Sequence, residues 1–449
     1  MSQPLPKRVL STVDPSFEKS LELQKRFNSV IPGGCHTYAK GDDQFPEFMP
    51  PYIVRGEGCH VWDVDGNEFI EYGMGLRAVT LGHAYKSVVE AAHRQMLRGN
   101  NSIRPATIEL EAVEALLDLI PGAEMAKFGK NGSDATSAAV KLSRAYTGRD
   151  LIAVCAEHPF FSVDDWFIGT TPMSAGIPDP IRSLTVKFHY NDIASVQALF
   201  DQYPNRIACV LMEAEKEQPP QNNFLHETQK LCKEHGAVFV LDEMITGFRW
   251  HNGGAQQYHQ IVPDLSAFGK GLGNGFSVSA LVGKKEIMRL GGSNHDRDRV
   301  FLLSLTHGAE YPSLAAAKEV VRVYKAEPVV ETLWKRGDRL ATGVRKSIAE
   351  NHLEHYVTIS GRPCCLVYGT RDEKKQPSQP FRTLFIQEIL KRGILATSFV
   401  VSYSHTEADI DGTIDAVHGA LAVYRKALDE GVGKYLVGRS VKPVFRTRN

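Results

Sequence analysis

From about residue 125 onward, short apolar runs alternate with amphipathic segments, and this alternation limits the fold more than any other feature of the chain. "LIAVCA", "IACVLME" and "AVFVLDE" have strand length and are apolar at nearly every position. "FLHETQKLCKEHG", between the last two, carries its apolar residues at helical spacing. A strand that is apolar on both sides must be covered on both sides, and strands joined through helices pair in parallel. The reading is an α/β fold whose large domain holds a mostly parallel sheet between helices. In such sheets, ligands collect at the carboxyl ends of the strands. The residues that end the runs are therefore the first candidates: Glu213 after "IACVLM", and Asp242 and Glu243 after "AVFVL".

The flanking segments read differently. "SFEKSLELQKRFNSVIP" predicts a helix with Ser16 as N-cap and Pro32 beyond its end. In "HVWDVDGNEFIEYGMG", two alternating runs flank Asp65-Gly66, which predicts a hairpin with a tight turn. "PSLAAAKEVVRVYKA" (312 to 326) reads as a bridge into a C-terminal α+β domain. The expected organisation is an N-terminal segment (1–80) that packs with the small domain, a large domain (81–325) and a C-terminal small domain (326–449).

Composition removes several function classes. Lysine plus arginine total 52, and so do aspartate plus glutamate. There is no basic excess for nucleic acid and no acidic tail. The seven cysteines are scattered with no CxxC pair, which argues against a disulfide framework and for a reducing compartment. The first twenty residues lack an apolar signal region, and no run approaches eighteen apolar residues. A cytoplasmic protein with neither nucleic-acid nor membrane partners is expected.

In "LSAFGKGLGNG" (265 to 275), Lys270 sits among Gly269, Gly271, Gly273 and Gly275. This reads as an amine that something large must reach, with side chains absent to leave it room. A nucleophilic lysine needs a carbonyl partner and a lowered pKa. Asp242 could be a simple cap or ion-pair partner, or it could hold a cationic ring nitrogen. In "NGSDAT", Ser133 and Asp134 are ordinary N-cap chemistry. Alternatively, Gly132, Ser133 and the helix start form a phosphate cup. Neither a P-loop nor a dinucleotide fingerprint is present. One cofactor requires the lysine, the aspartate and the cup together, namely pyridoxal 5'-phosphate. No metal-ligand spacing is found: H-E-x-x-H is absent, and "HLEH" (352 to 355) reads as a solvated helix surface.

"FVLDEMITGFR", followed by "PDLSAFGKGLGNGFSVSALVG", resembles the class III aminotransferases, and within them most closely the glutamate-1-semialdehyde aminomutase branch. The resemblance extends over nearly the whole chain through "IPGG", "VRGEGCHVWDVDGNEFIEY", "LGHAY" and "VSYSHTEADIDGTI". It implies a fold-type I enzyme, a homodimer with shared active sites, a small-molecule amino donor and a carbonyl acceptor. It further implies that Lys270 bonds the cofactor aldehyde and that Asp242 pairs with the ring nitrogen. Gly132 and Ser133 match the phosphate-binding pair, with Asn131 in place of the family's serine. Phe160 takes the place of the stacking tyrosine, Met244 packs the opposite ring face, and Glu213 contacts the cofactor or the substrate. Thr306 matches a threonine that reaches the phosphate in the neighbouring subunit.

The departures fall among the substrate residues. After I-P-G-G the aminomutases have a serine and an arginine that hold the substrate carboxylate; here Thr37 and Lys40 stand there. The family tryptophan is Leu76, followed by a new cation, Arg77. Lysine carries charge without the bidentate fork. The expectation is a plain aminotransferase acting on a longer or polyhydroxylated acid or phosphate, with glutamate as donor. The alternatives are a true aminomutase making 5-aminolevulinate, a nicotinamide oxidoreductase, and a non-catalytic binding module.

Overall fold

The computed structural model describes residues 15–448. The chain divides into two units. One comprises Met1–Leu76, Leu81–Ala84 and Leu333–Val444; the other comprises Arg77–Thr80, Tyr85–Thr332 and Phe445–Asn449.

The larger unit is built on seven strands: β1 Met125–Gly129, β2 Leu151–Cys155, β3 Thr185–Phe188, β4 Ile207–Glu213, β5 Val238–Asp242, β6 Leu265–Phe268 and β7 Ser279–Gly283. Their order is β1-β7-β6-β5-β4-β2-β3. The pairs from β6 through β3 are parallel, and β7 runs antiparallel to β1 and β6. Every residue of β2, β4 and β5 is buried, as their unbroken apolar runs require. The helix Gly132–Thr147 lies on the sheet, and its Ala135, Ala139 and Leu142 share a core with Val154, Leu211 and Val240. It stops at Gly148, whose φ of 67° is a left-handed cap.

The segment expected as a bridge is the helix Tyr311–Ala326, and it belongs to the larger unit, packed on the helices Lys86–Met96 and Thr107–Leu117. Its Leu314, Ala316, Val320, Val321, Val323 and Tyr324 are all buried. Lys318, Arg322 and Lys325 form its exposed face. The chain passes between units within the next helix, Val329–Glu350.

The smaller unit carries a four-stranded sheet of Ile53–Glu57, His60–Asp63, Glu68–Glu71 and Ile394–Leu395, in that order. The expected hairpin is present. Asp63 Oδ1 accepts the N–H groups of Asp65 (3.0 Å) and Asn67 (2.8 Å), and Gly66 adopts φ +89°. The first helix is Glu18–Val30, and its cap is not Ser16. Phe17 occupies the cap position without a side-chain bond. Instead, the Asp65 carboxylate accepts the N–H groups of Lys19 (2.8 Å) and Ser20 (2.9 Å). A turn 45 residues away thus satisfies the orphan donors of the helix and opposes its dipole.

Gly337 supplies a stability test. A Cβ there would lie 1.9 Å from the Pro363 carbonyl oxygen, a backbone atom. Gly337→Ala is expected to destabilise by roughly 1–3 kcal/mol from overpacking, although alanine is the better helix former by about 1 kcal/mol. Urea denaturation measures it. A variant as stable as the parent would show that the helix and the turn can separate freely.

Candidate active site

The ends of β4, β5 and β6 bring the main residues together. Glu213 and Asp242 are register partners at the carboxyl ends of adjacent strands, and Asp242 pairs across to Ala267 of β6. Lys270 follows two residues after β6 ends. Glu213 is 3% exposed and Asp242 2%. The Met244 N–H donates to Asp242 Oδ1 at 2.8 Å and orients the carboxyl.

Met244 ties this cluster to the helix start. A Cβ on Gly132 would lie 2.8 Å from its sulfur, and a Cβ on Gly269 would lie 2.6 Å from it. The thioether therefore packs against both glycines, and Asn131, Gly132 and Ser133 come to the same place as the lysine loop. At that helix start, Asp134 Oδ2 accepts the N–H groups of Lys130 (2.9 Å) and Asn131 (2.8 Å). The Ser133 hydroxyl accepts the Val163 N–H at 3.0 Å, which leaves its own proton to donate. Asp134 is thus a structural cap, while the first helical amides have no partner within the helix and suit an anion.

The glycines around Lys270 have a different reason from the expected one. The volume a side chain would take at Gly271 is filled by Thr80 (3.1 Å) and Phe248 (3.2 Å), and that at Gly273 by Val278 (2.7 Å). Met244 fills the volume at Gly269. They are glycines because protein closes on the loop, not to leave an open approach to the amine. Lys270 itself takes φ +43°. A left-handed conformation at a non-glycine costs roughly 1–2 kcal/mol and is characteristic of functional positions.

The buried charges perturb one another. Burial raises the Asp242 pKa, and the neighbouring Glu213 raises it further, while Lys270 opposes both. Burial also raises the Glu213 pKa, against Lys270, Lys216 and Arg77. Burial lowers the Lys270 pKa, Asp242 and Glu213 raise it, and Arg249 and Arg77 lower it again. An amine pushed down by desolvation is the more nucleophilic one.

Arg77 therefore stands in the electrostatic reach of Lys270 and Glu213. It ends a run of positive φ: Met74 (42°), Gly75 (58°), Leu76 (59°) and Arg77 (69°). Arg249 is fully buried and holds this turn through a bond from Nη2 to the Arg77 carbonyl, while Nη1 donates to the Ile245 carbonyl at 2.7 Å. Nothing in the local sequence around Arg249 announces this role. Nor does any local pattern announce His158, whose Nδ1 accepts the Glu213 N–H at 3.0 Å.

The other expected residues lie as follows. Phe160 is 43% exposed and meets Phe167 edge-on at 5.8 Å. Thr306 is exposed, and its carbonyl accepts from Asn101 Nδ2 at 2.9 Å. In the smaller unit, Thr37 and Lys40 line a cavity of about 480 Å³ with Leu76, Tyr52 and the Glu71–His83 pair (2.8 Å).

Glu213 Oε2, Ser279 Oγ and Thr80 Oγ1 are buried without a hydrogen-bond partner. Ser279 Oγ lies 3.0 Å from where a Cβ on Gly129 would stand, and Thr80 lies against Gly271. A buried carboxylate oxygen and two hydroxyls without a protein partner call for ordered water or a polar ligand. Together with the amine, Asp242 and the helix start, they fit an aldehyde, a ring cation and a phosphate.

His158 gives a pH test. Burial, with Lys216 adding to it, pushes its pKa down to about 3. The unfolded chain takes up a proton near the ordinary value of about 6.5, while the folded chain does not. Stability is therefore fully present above about pH 6.5 and is lost as pH falls toward 3, by about 1.4 kcal/mol per pH unit. His158→Gln should lack this increment. Urea midpoints of both proteins at pH 7.5 and 5 measure it, and parallel pH profiles would remove the assignment.

A family model described as aminotransferase class-III matches residues 38–421. Glutamate-1-semialdehyde 2,1-aminomutase of Methanothermobacter thermautotrophicus is 32% identical, over 90% of this chain and 99% of that one. The FumI protein of Sphingopyxis sp. MTA144, solved in its PLP internal aldimine form, is 27% identical with a TM-score of 0.82, covering 91% of this chain and 97% of that one. An omega-transaminase of Sphaerobacter thermophilus is 25% identical with a TM-score of 0.79, covering 90% and 97%.

Proposed function

We propose, for a chain that belongs to the class III aminotransferases and depends on pyridoxal 5'-phosphate, a plain aminotransferase that moves an amino group from an amino acid, glutamate in our reading, to a longer or polyhydroxylated carbonyl acid or phosphate. The observation that carries this reading is Arg77, a cation within reach of Lys270 and Glu213. After I-P-G-G, Lys40 stands where the resemblance to the aminomutases implies an arginine.

Bound pyridoxal phosphate supplies an aldehyde that takes up the amino group and a ring that stores the electrons of the broken C–H bond. Lys270 Nζ would hold its aldehyde carbon and would move the proton at the substrate carbon. Asp242 holds a proton at the ring nitrogen. Gly132, Ser133 and the helix start hold the phosphate, with Asn131 at the cap. Phe160 and Met244 cover the two ring faces. Glu213 accepts a hydrogen bond through its unpartnered oxygen. Arg77 binds the substrate anion, with Thr37 and Lys40 as further substrate contacts. Thr306 completes the phosphate site of a second subunit in a homodimer, in a cytoplasmic enzyme. Among the described residues, no helix is long and apolar enough to cross a membrane.

A second reading is favoured by the name of the 32% relative, an aminomutase. One experiment separates the two. The purified enzyme is given glutamate-1-semialdehyde and assayed for 5-aminolevulinate, beside a panel of amino donors and anionic carbonyl acceptors. Net transfer to an anionic acceptor, with KM raised about tenfold or more in Arg77→Ala and kcat little changed, supports the aminotransferase. Efficient 5-aminolevulinate formation without net transfer between added compounds overturns it in favour of the aminomutase.

A further inference from the structure

In the smaller unit, the adjacent Cys59 and His60 and the distant Asp409 place a thiol, an imidazole nitrogen and a carboxylate oxygen all within 4.8 Å of one another. Cys59 Sγ is 3.4 Å from Asp409 Oδ2, and His60 Nε2 is 3.1 Å from Asp409 Oδ1. Zinc bonds of roughly 2.1 Å to nitrogen and oxygen and 2.3 Å to sulfur give tetrahedral edges of about 3.4 Å for N···O and 3.6 Å for S···O. The observed separations are close to these lengths, but they run to different oxygens, Oδ2 for Cys59 and Oδ1 for His60, so the carboxylate turns slightly to offer one oxygen to the ion.

The surroundings are those of a ligand set. His60 Nδ1 is 3.0 Å from Glu68 Oε1, so the ring faces a carboxylate on each nitrogen. A neutral imidazole has one N–H and can satisfy only one of them. An imidazolium satisfies both; a cation at Nε2 does so equally, with Glu68 accepting the Nδ1 proton, the arrangement found behind metal-bound histidines. Asp409 is held in turn: Thr406 donates to its Oδ2 from the backbone N–H and from Oγ1, both at 2.7 Å. Cys59 is buried, and its other neighbour is the Ser404 carbonyl at 3.8 Å. A sulfur–nitrogen–oxygen donor set selects zinc over magnesium or calcium.

We propose that Cys59, His60 and Asp409 bind one zinc ion, with water in the fourth position. The Cys59 S–H bond breaks, its proton leaves to solvent, and the thiolate takes the metal. The ion links the strand His60–Asp63 to the start of the helix Glu407–Glu430, 349 residues away in sequence for His60.

The test uses the full chain with its cofactor bound, cleared of metal by a chelator and of free cofactor by dialysis, then titrated with Zn²⁺ and with Co²⁺. About one zinc per chain should bind at micromolar affinity or tighter, and cobalt should give a near-ultraviolet thiolate-to-metal band. Cys59→Ala should abolish that band and weaken zinc at least about 100-fold. Glu68→Gln leaves the three ligands in place and should weaken zinc about 10- to 100-fold. Cys35→Ala should change nothing. Zinc that binds only at millimolar concentration, a cobalt complex without the thiolate band, or binding unaltered in both Cys59→Ala and Glu68→Gln would overturn the site and leave a hydrogen-bonded tether.

Discussion

Replacing Lys270 by alanine is expected to lower turnover at least about 10⁴-fold, because under the proposed roles the substitution removes both the covalent anchor and the proton carrier. The wild-type protein with its cofactor should absorb in the near-ultraviolet to visible range and lose that band when the lysine is gone. The fold should survive. The loop is held by Met244, Thr80, Phe248 and Val278 rather than by the amine. Removing a desolvated cation also relieves a burial penalty. The outcome that would refute the assignment is a folded variant that keeps more than about one-hundredth of wild-type turnover.

The second large effect is expected at Asp242. Asparagine keeps the shape and can still accept the Met244 N–H, but it cannot hold a negative charge beside the ring nitrogen. Single-turnover proton transfer should slow on the order of 10³-fold, while the cofactor stays bound through the lysine and the phosphate cup. The pKa directions make the substitution informative. Burial, then Glu213, raise Asp242, so the protein's own surroundings on balance disfavour its charge. A cationic ring reverses that balance, since an opposite charge in a buried site favours ionisation. Stopped-flow absorbance of the half-reaction gives the rate. An unchanged rate would leave Asp242 a structural strand end.

Much of the site was legible because its residues end regular elements. A parallel sheet leaves its ligands at the carboxyl ends of its strands, so Glu213, Asp242 and Lys270 could be found by asking where the apolar runs stop. The helix start at Gly132 announced itself by a glycine followed by hydroxyl and carboxyl residues. The glycines of the lysine loop were visible too, but their reason was not. A sequence shows that a side chain is missing, not whether ligand or protein takes its place, and here Met244, Thr80, Phe248 and Val278 take it.

By itself the sequence determined the α/β class, the hairpin at Asp65-Gly66, the family and the lysine–aspartate pair, because each rests on local periodicity or on short spacings along the chain. Only the tertiary structure decided that Asp65 caps a helix 45 residues before it, that Arg249 clamps the strained turn of Arg77, that His158 braces Glu213, and that Cys59 and His60 meet Asp409. These are pairings between polar groups distant in the chain. Chain spacing does not encode them; they form because packing the apolar faces fixes which strand ends, turns and helix starts become neighbours, and buried polar groups must then find partners among those neighbours.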